Sequence, residues 1–354
     1  MGLKVFEINF IKAEHGDCIH ISFTDDNAII RYILIDGGPA STYIKRNGKK
    51  KLENGPLKLL VDELKQIDLL VITHIDDDHI GGILKWFSSD QQFAEKVKSV
   101  WFNSPKKIQE SLSTNIDVSD DTCTERYDSL ETSTKQGSSL EAILEKNNMN
   151  HLGYITAGFS HSVYGSELLV LSPQVETLHS LLSFWVTEQP QLYTVKSNDY
   201  SSSLSDLLIN DIFKEDKKIQ NKSSISFIFK HKGDSYLFLG DTTPSEIIPS
   251  LKKLGYDKDN KLDAKFIKLS HHGSKKNTSN ELLEIVNTSK YIVSTNGKYH
   301  EHPDKLCLAR IISHNCNSKF YFNYPERYKK IFTPEDFESY PNFSLHSTQE
   351  LNNE

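Results

Sequence analysis

The most informative stretch of the sequence is Thr-His-Ile-Asp-Asp-Asp-His-Ile-Gly-Gly, residues 73–82. The run before it, Ile-Asp-Leu-Leu-Val-Ile at residues 67–72, is typical of a buried β-strand. A helix is predicted from Ile80 onward, so two histidines and three aspartates fall in the turn between the strand and the helix. Burying these imidazoles and carboxylates is costly unless a cation neutralises them. The turn therefore predicts a site for one or two divalent metal ions.

Chemically active residues also follow other predicted strands. Apolar or alternating runs predict these strands at residues 5–10, 18–23, 29–35, 97–102, 168–173, 225–231, 235–239, 266–270, 291–296 and 319–323, the last of them at a sheet edge. Asp36 and Asp241 each follow one of these strands within two residues. His271 and His272 directly follow another. Strands interspersed with helices, with candidate ligands at strand ends, predict a layered α/β protein with a site along one sheet edge.

Composition and length limit the class of protein. The 354 residues suffice for one large domain or two smaller ones, and the 37% of hydrophobic residues suits a globular protein. No apolar run reaches the length of a membrane span, and the first residues read as a strand and not as a signal peptide. We therefore expect a cytoplasmic protein without membrane contact. The four cysteines lack paired spacing, which supports neither a disulfide framework nor a zinc ribbon.

The distribution of charge points to a local anion site. The net charge of −7 argues against binding of polyanions by the whole surface. Lys49 and Lys50, however, belong to a basic loop, and Lys275 and Lys276 follow the double histidine. Either run, taken alone, would be a solvated group of charges. Because both lie beside presumed metal ligands in the sequence, we expect these lysines to bind a phosphate-bearing substrate.

A single domain is expected over residues 1–340. The hydrophobic pattern weakens over residues 174–220, where helical pieces flank a polar middle. We interpret this segment as an insertion that covers or extends the core, and as the docking surface for any protein partner. Residues 341–354 are expected to form a flexible tail.

Together these residues resemble the metallo-β-lactamase superfamily. The resemblance rests on Asp36-Gly37-Gly38, the block from His74 to His79, Gly240-Asp241 and the later histidines. The usual block is His-x-His-x-Asp-His, and Asp76 stands here in place of its second histidine. That change resembles the metallo-β-lactamase-like domain of the DNA-uptake protein ComEC and its stand-alone relatives. The fold implied is a four-layer αββα sandwich with the metals at one edge, here with a helical insertion.

The resemblance also implies two divalent metal ions, Zn²⁺ or Mn²⁺, and the residues that hold them. The implied ligands are His74, Asp76, Asp78, His79, Asp241 and His302. The first two would bind one ion and the next two the other, while Asp241 would bridge both and His302 would complete the second site. Many family members supply one more histidine, for which His151 and His161 are the candidates. Asp36 either holds a metal-binding histidine or is merely a turn residue.

The chemistry predicted for this site is hydrolysis of a phosphodiester in nucleic acid through a metal-activated water. Asp78, His271 and His272 are the predicted catalytic residues. Either histidine of the pair would hydrogen-bond a non-bridging oxygen or protonate the leaving group, unless His271 is a further ligand. Lys49, Lys50, Lys275 and Lys276 would hold the flanking phosphates.

Two other functions are compatible with the same residues. Hydrolysis of an ester, lactone or thioester would use the same fold with an apolar cleft and would make the lysines incidental. A non-catalytic interaction module, in a larger complex of the defence type, would use the insertion as its docking surface.

Overall fold

The computed structural model describes residues 5–47, 51–112, 133–187, 198–209 and 211–353. By packing, the chain divides into two compact units. The first comprises Met1–Ile155 with Gln174–Thr194, and the second Thr156–Pro173 with Val195–Glu354. Each unit has a main β-sheet of its own.

The first unit is built on a mixed six-stranded sheet within the described residues. The strands of this unit are β1 Phe6–Phe10, β2 Ile19–Thr24, β3 Ile30–Ile35, β4 Ile44–Asn47, β5 Lys51–Asn54, β6 Leu69–Val71, β7 Val100–Trp101 and β8 His151–Leu152. Its helices are α1 Pro56–Glu63, α2 Asp77–Ser89, α3 Phe93–Lys96, α4 Pro105–Leu112, α5 Ser133–Lys146 and α6 Val175–Thr187. The sheet runs in the order β1-β2-β3-β6-β7-β8, and β4 pairs only with β5. The first three strands are antiparallel, and β3, β6, β7 and β8 are parallel.

The connection from β6 to α2 places the most informative stretch of the sequence. All three residues of β6 are buried, as expected for a strand between two parallel neighbours. The helix begins at Asp77, three residues before the predicted start, with Asp76 at its N-cap position. Aspartates are favourable in a first helical turn because they face the positive end of the helix dipole. Asp78 and His79 therefore lie on the first turn of α2 and not in an irregular loop.

The second unit is built on a mixed eight-stranded sheet, counted over the described residues. The strands of this unit are β9 Ser160–Val163, β10 Ser166–Ser172, β11 Ser226–His231, β12 Asp234–Phe238, β13 Leu262–Asp263, β14 Ile267–Lys268, β15 Val286–Asn287, β16 Lys290–Val293, β17 Lys319–Phe322 and β18 Ser344–Ser347. Of these, β13 and β15 pair with each other in a separate two-stranded sheet. Its helices are α7 Leu204–Ile209, α8 Ile219–Lys222, α9 Pro244–Lys253, α10 Asn280–Ile285, α11 Lys305–His314, α12 Tyr328–Ile331 and α13 Pro334–Ser339. The order is β18-β17-β16-β14-β12-β11-β10-β9, antiparallel from β9 to β12 and parallel from β12 to β18.

One hydrophobic core supports the parallel part of this second sheet. Strand residues such as Leu237, Ile267 and Val293 pack there with residues of the helices, among them Ile247 and Leu308. Because these strands are short and buried, the polar residues that follow them are fixed at the strand ends.

The predicted α/β class is confirmed, since each unit combines a mixed sheet with helices. Two local predictions are wrong. β17 is not at the sheet edge, because β18 pairs with it in parallel. Residues 344–347, expected in a flexible tail over 341–354, are β18 itself, and a 3₁₀-helix follows at Thr348–Asn353.

The segment expected as an insertion, 174–220, contributes α6 to the first unit and α7 to the second. Residues 188–197 and 210 of this segment lie outside the described residues. Among the helices that the structure describes, none is long and apolar enough to cross a membrane.

Candidate metal centre

In the first unit, Asp36 fixes the ligand turn that follows β6. It adopts a left-handed backbone conformation, with φ of 57°, directly after β3. Its Oδ1 accepts a hydrogen bond from the backbone N–H of Thr73 at 2.7 Å. Its Oδ2 accepts two more, from the Thr73 hydroxyl at 2.6 Å and from Nδ1 of His79 at 2.7 Å. This buried carboxylate thus accepts three hydrogen bonds, and its contact with His79 favours the interpretation that it holds a metal-binding histidine.

These hydrogen bonds determine the tautomers of His74 and His79. His79 donates through Nδ1 to Asp36, so in the neutral ring its Nε2 carries the lone pair. The single hydroxyl proton of Thr73 is also used on Asp36, so the 3.1 Å contact between Thr73 Oγ1 and Nδ1 of His74 requires the imidazole to donate. In the neutral ring, the Nε2 atom of His74 is therefore unprotonated as well. The two rings lie 4.1 Å apart, centre to centre.

Asp76 and Asp78 flank these histidines differently. Oδ2 of Asp76 lies 4.0 Å from Nε2 of His74, while its Oδ1 accepts a hydrogen bond from Ser133, at the start of α5, at 2.8 Å. Asp78 is half-buried in the first turn of α2. The first unit thus brings four of the predicted ligand residues onto one strand–helix connection.

The turn at residues 15–17 packs directly on this connection. The N–H of Asp17 donates to the carbonyl oxygen of Asp78 at 3.2 Å, and the carbonyl oxygen of Asp17 accepts from Gly38 at 2.7 Å. A Cβ atom at Gly16 would lie 1.7 Å from that same Asp78 oxygen, so only glycine permits this close approach.

The buried Asp17 carboxylate is a candidate ligand that the sequence did not single out. Asp17, Asp36 and His79 each offer a ligand atom, and these atoms all lie within 4.8 Å of one another. Burial, with the charges of Asp36 and Asp17, also raises the pKa of the neighbouring Cys18 thiol.

In the second unit, Asp241 lies between two imidazoles. It is buried and follows β12, and its backbone N–H donates to Ser224 Oγ at 3.2 Å. Its Oδ1 lies 3.8 Å from Nε2 of His272, and its Oδ2 lies 3.7 Å from Nε2 of His271. The carboxylate therefore faces a different ring with each oxygen, which suits a residue expected to bridge.

The double histidine lies on strained backbone. His271 and His272 have φ values of 47° and 55°, in the left-handed region that non-glycine residues avoid, and Gly273 follows with φ of 89°. Nδ1 of His272 donates to the carbonyl oxygen of Ser294 at 2.9 Å, which leaves its Nε2 unprotonated and directed to Asp241. Strain of this kind persists where the surrounding structure imposes it, and it occurs often at functional sites.

His271 lies between two carboxylates. Its Nδ1 is 3.4 Å from Oδ2 of Asp216, and its Nε2 faces Asp241. Burial lowers the pKa of His271, but the charges of Asp241 and Asp216 outweigh burial and raise it above its ordinary value. In turn, the pKa of Asp216 is held below its usual range despite burial, because His271 and Asn221 donate hydrogen bonds to it. This geometry suits a cationic imidazole that donates hydrogen bonds.

The remaining predicted residues are placed as follows. His302 is buried in the second unit, with its ring centre 5.0 Å from that of His271. Lys275 lies 3.6 Å from Asp199 and 3.7 Å from Asp304, so carboxylates already share its charge. Lys276 is exposed. Lys49 and Lys50 lie outside the described residues.

The two candidates for an additional histidine lie in different units. His151 is on β8, at the end of the six-stranded sheet, and its Nε2 is 2.7 Å from the carbonyl oxygen of Phe102. His161 is on β9 and stacks against Phe159. The hydrogen bond of His151 to the backbone favours a structural role for that residue.

The donor chemistry in each unit fits a divalent metal ion. Unprotonated Nε2 atoms of His74, His79 and His272 are held in place by hydrogen bonds at Nδ1, the arrangement that orients histidine ligands in metalloproteins. Carboxylates lie beside them, and together they form a mixed nitrogen and oxygen donor set. Such a set suits Zn²⁺ and Mn²⁺ alike.

Comparison with known proteins agrees with this chemistry. Residues 31–91, which include β3, β6 and the ligand turn, match the profile of the metallo-beta-lactamase superfamily. The matched segment is about a sixth of the chain, and the match supports a metallo-β-lactamase fold. No curated protein matches the sequence.

Similar solved structures include two enzymes and one protein that is described by its fold. CmlA, a diiron beta-hydroxylase from Streptomyces venezuelae, is 13% identical over 98% of this chain and 54% of its own, with a TM-score of 0.42. The metallo-beta-lactamase fold protein YhfI from Bacillus subtilis is 9% identical over 96% of each chain, with a TM-score of 0.38. A diphosphatase of the PhnP family is 11% identical over 94% of this chain and 81% of its own, with a TM-score of 0.38. The present chain thus spans about half the length of CmlA. Because all three TM-scores are below 0.5, these structures support no inference about the activity or substrate of this chain.

Proposed function

We propose that this protein is a metal-dependent phosphodiesterase or nuclease that acts on nucleic acid. The observation that carries the proposal is the fixed tautomer of His74, His79 and His272, whose Nδ1 atoms all donate to protein acceptors. Three buried imidazoles that all present an unprotonated Nε2 beside carboxylates are organised to bind cations. An imidazole with a purely structural role has no need for this pattern of hydrogen bonds.

The proposed ligands are those of the sequence analysis, with two additions. The set comprises His74, Asp76, Asp78, His79, Asp241 and His302, to which we add Asp17 and His272. His272 is added because its Nδ1 donates to the Ser294 carbonyl oxygen, so that the neutral ring accepts at Nε2, which favours a ligand over the expected proton donor. When bound, divalent ions lower the pKa of water towards neutrality and stabilise charge on a phosphoryl group.

His271 takes the role of hydrogen-bond donor in this proposal. Its ring is held between Asp216 and Asp241, and these carboxylates favour the protonated form. A donor beside the ligands would bind a non-bridging phosphoryl oxygen or the leaving oxygen of a phosphodiester.

The choice of a phosphodiester rests on charge. Carboxylates supply about half of the proposed ligands, and oxygen-rich sites suit the metals that act on phosphates. Exposed Lys276 follows His272 by four residues and is available to a nucleic-acid backbone. Lys275 contributes less in this proposal, since Asp199 and Asp304 already pair with it.

The test combines metal analysis with two model substrates. Purified protein is loaded with Zn²⁺ or Mn²⁺, its metal content is measured, and hydrolysis of bis(p-nitrophenyl) phosphate is compared with that of p-nitrophenyl acetate. We expect bound metal and preference for the phosphodiester, followed by cleavage of DNA or RNA. Asp78→Ala should lose at least one metal and the activity, whereas Asp62→Ala, at an exposed carboxylate on α1, should lose neither.

Each other outcome contradicts part of the proposal. Preference for the acetate would indicate an ester or thioester hydrolase. Absence of both metal and turnover would indicate a non-catalytic module. Unchanged metal content in Asp78→Ala would remove that residue from the ligand set.

A further inference from the structure

Three successive carbonyl groups of the turn that carries His302 are held by two side chains. The phenol of Tyr200 lies 2.5 Å from the carbonyl oxygen of Glu301 and 3.0 Å from that of Pro303. Between them, the carbonyl oxygen of His302 accepts from Nε of Arg327 at 3.3 Å. Glu301 has a left-handed φ of 57°, so the turn is held in a conformation that a free chain would leave.

The two side chains also hold each other. Nη2 of Arg327 donates to the Tyr200 phenol at 2.7 Å and to Oε2 of Glu301 at 2.9 Å. The guanidinium group lies over the Tyr200 ring, 5.2 Å from its centre. Both residues are 8% exposed. Gly297 provides the room, because a Cβ atom there would lie 2.1 Å from Cζ of Arg327.

Residues 199–202 also form hydrogen bonds with the start of α11, which follows the turn. The carboxylate of Asp199 accepts hydrogen bonds from the N–H groups of Lys305 and Leu306 at 2.8 and 3.2 Å, in the first turn of α11. The ammonium group of Lys305 donates to the carbonyl oxygens of Tyr200 and Ser202 at 3.3 and 2.7 Å. Residues 199–202 therefore fix both the turn and the helix behind it.

We propose that Tyr200 and Arg327 are positioning residues that hold His302 in place for metal binding. The inference rests on the proposed function, which makes His302 a ligand. It also gives residues 199–202, part of the expected docking insertion, a role within the protein's own site. Neither side chain needs to touch the ion, because they act on the backbone on both sides of the ligand. Metal affinity falls when a ligand must be ordered during binding.

The test measures metal affinity in Tyr200→Phe, with Tyr236→Phe as the matched control. Both tyrosines lie in the second unit and are 8% exposed, so each variant loses one buried hydroxyl. We expect the dissociation constant for Co²⁺ or Zn²⁺, followed by absorption or chelator competition, to rise about tenfold in Tyr200→Phe. It should change less than about twofold in Tyr236→Phe. Circular dichroism of the metal-free proteins checks that both are folded, and Arg327→Lys, which loses the Nε donor, provides a second variant with the same expected loss.

A double-mutant cycle separates positioning from general destabilisation. His302→Ala removes the ligand, so adding Tyr200→Phe to it should weaken binding less than about twofold further. An equal loss in both backgrounds, or no loss from Tyr200→Phe and Arg327→Lys in the wild-type background, would overturn the positioning role. If His302→Ala itself left the affinity unchanged, the ligand assignment would fail and the inference with it. Loss from His302→Ala without loss from Tyr200→Phe would overturn the inference alone.

Discussion

Oδ2 of Asp36 lies 2.7 Å from Nδ1 of His79, although the two residues are 43 positions apart in the chain. The same carboxylate accepts both polar hydrogens of Thr73, so one residue sets the orientation of both histidines in the first unit. A single acidic side chain at the end of β3 thereby fixes the orientation of two histidines that follow β6.

The first prediction concerns this contact. Asp36→Asn should lower metal affinity about 10- to 100-fold, because an amide accepts fewer hydrogen bonds and no longer favours the Nδ1-protonated tautomer of His79. Isothermal titration with Zn²⁺ or Mn²⁺ measures the change. Asp68→Asn is the control, since Asp68 is also buried in the first unit but pairs with Arg31. That variant should lose stability and keep its metal affinity; equal affinities in the two variants would refute the role of Asp36.

The second prediction concerns Gly16. Gly16→Ala should lower the free energy of unfolding by about 3 kcal/mol, because its new methyl group would overlap the carbonyl oxygen of Asp78 and displace the first turn of α2. Gly255→Ala is the control: residue 255 has a φ of 89° but open space around it, so only backbone strain of about 1–2 kcal/mol applies. Urea denaturation measures the free energy of unfolding of both variants. Metal affinity should fall only in Gly16→Ala, and its retention there would show that the turn does not support the ligands.

The third prediction concerns a buried ion pair. Nζ of Lys305 lies 2.6 Å from Oδ2 of Asp336, and both side chains are fully buried. Lys305→Met should cost about 3–5 kcal/mol of stability, because the carboxylate remains buried without its partner. Lys252→Met breaks an exposed pair with Glu281 and should cost no more than about 1 kcal/mol. Similar losses of stability in the two variants would show that the buried ion pair of Lys305 contributes no more to stability than the exposed pair of Lys252.

The same pair predicts a dependence on pH. Burial raises the pKa of Asp336, but the hydrogen bond from Lys305 and those from the backbone of Thr333 and Leu204 lower it below its ordinary value overall. Its contribution to stability is therefore complete above a pH of about 4 and is lost as the pH falls through the folded-state pKa. Thermal unfolding between about pH 5 and 2 should show this loss in the wild type and a weaker one in Lys305→Met. Parallel curves for the two proteins would contradict the prediction.

Local patterns were sufficient to predict much of the fold. The buried strand β6, the strands β11 and β12, and the candidate ligands after strand ends follow from periodicity and residue type. The start of α2 was harder to predict, since aspartates are poor residues within a helix and favourable only in its first turn. β18 has the sequence Ser-Leu-His-Ser, which carries no apolar run, and it forms because β17 offers an edge to pair with.

Contacts between distant residues account for what the sequence left open. Asp17 becomes a candidate ligand only because glycine at position 16 lets its turn approach Asp78. Tyr200 and Arg327 lie 127 positions apart and neither belongs to a recognisable motif, yet they meet at the turn of His302. Such pairings depend on the packing of whole elements, which residue spacing does not encode.

The short polar strand β18 occupies the last position of the eight-stranded sheet. It covers the backbone of β17, whose Phe320, Tyr321 and Phe322 are fully buried. A chain shortened to residue 340 would leave that backbone unpaired and would offer a row of aromatic residues to any other copy. We therefore expect truncations that remove residues 344–347 to aggregate more readily than truncations that keep them.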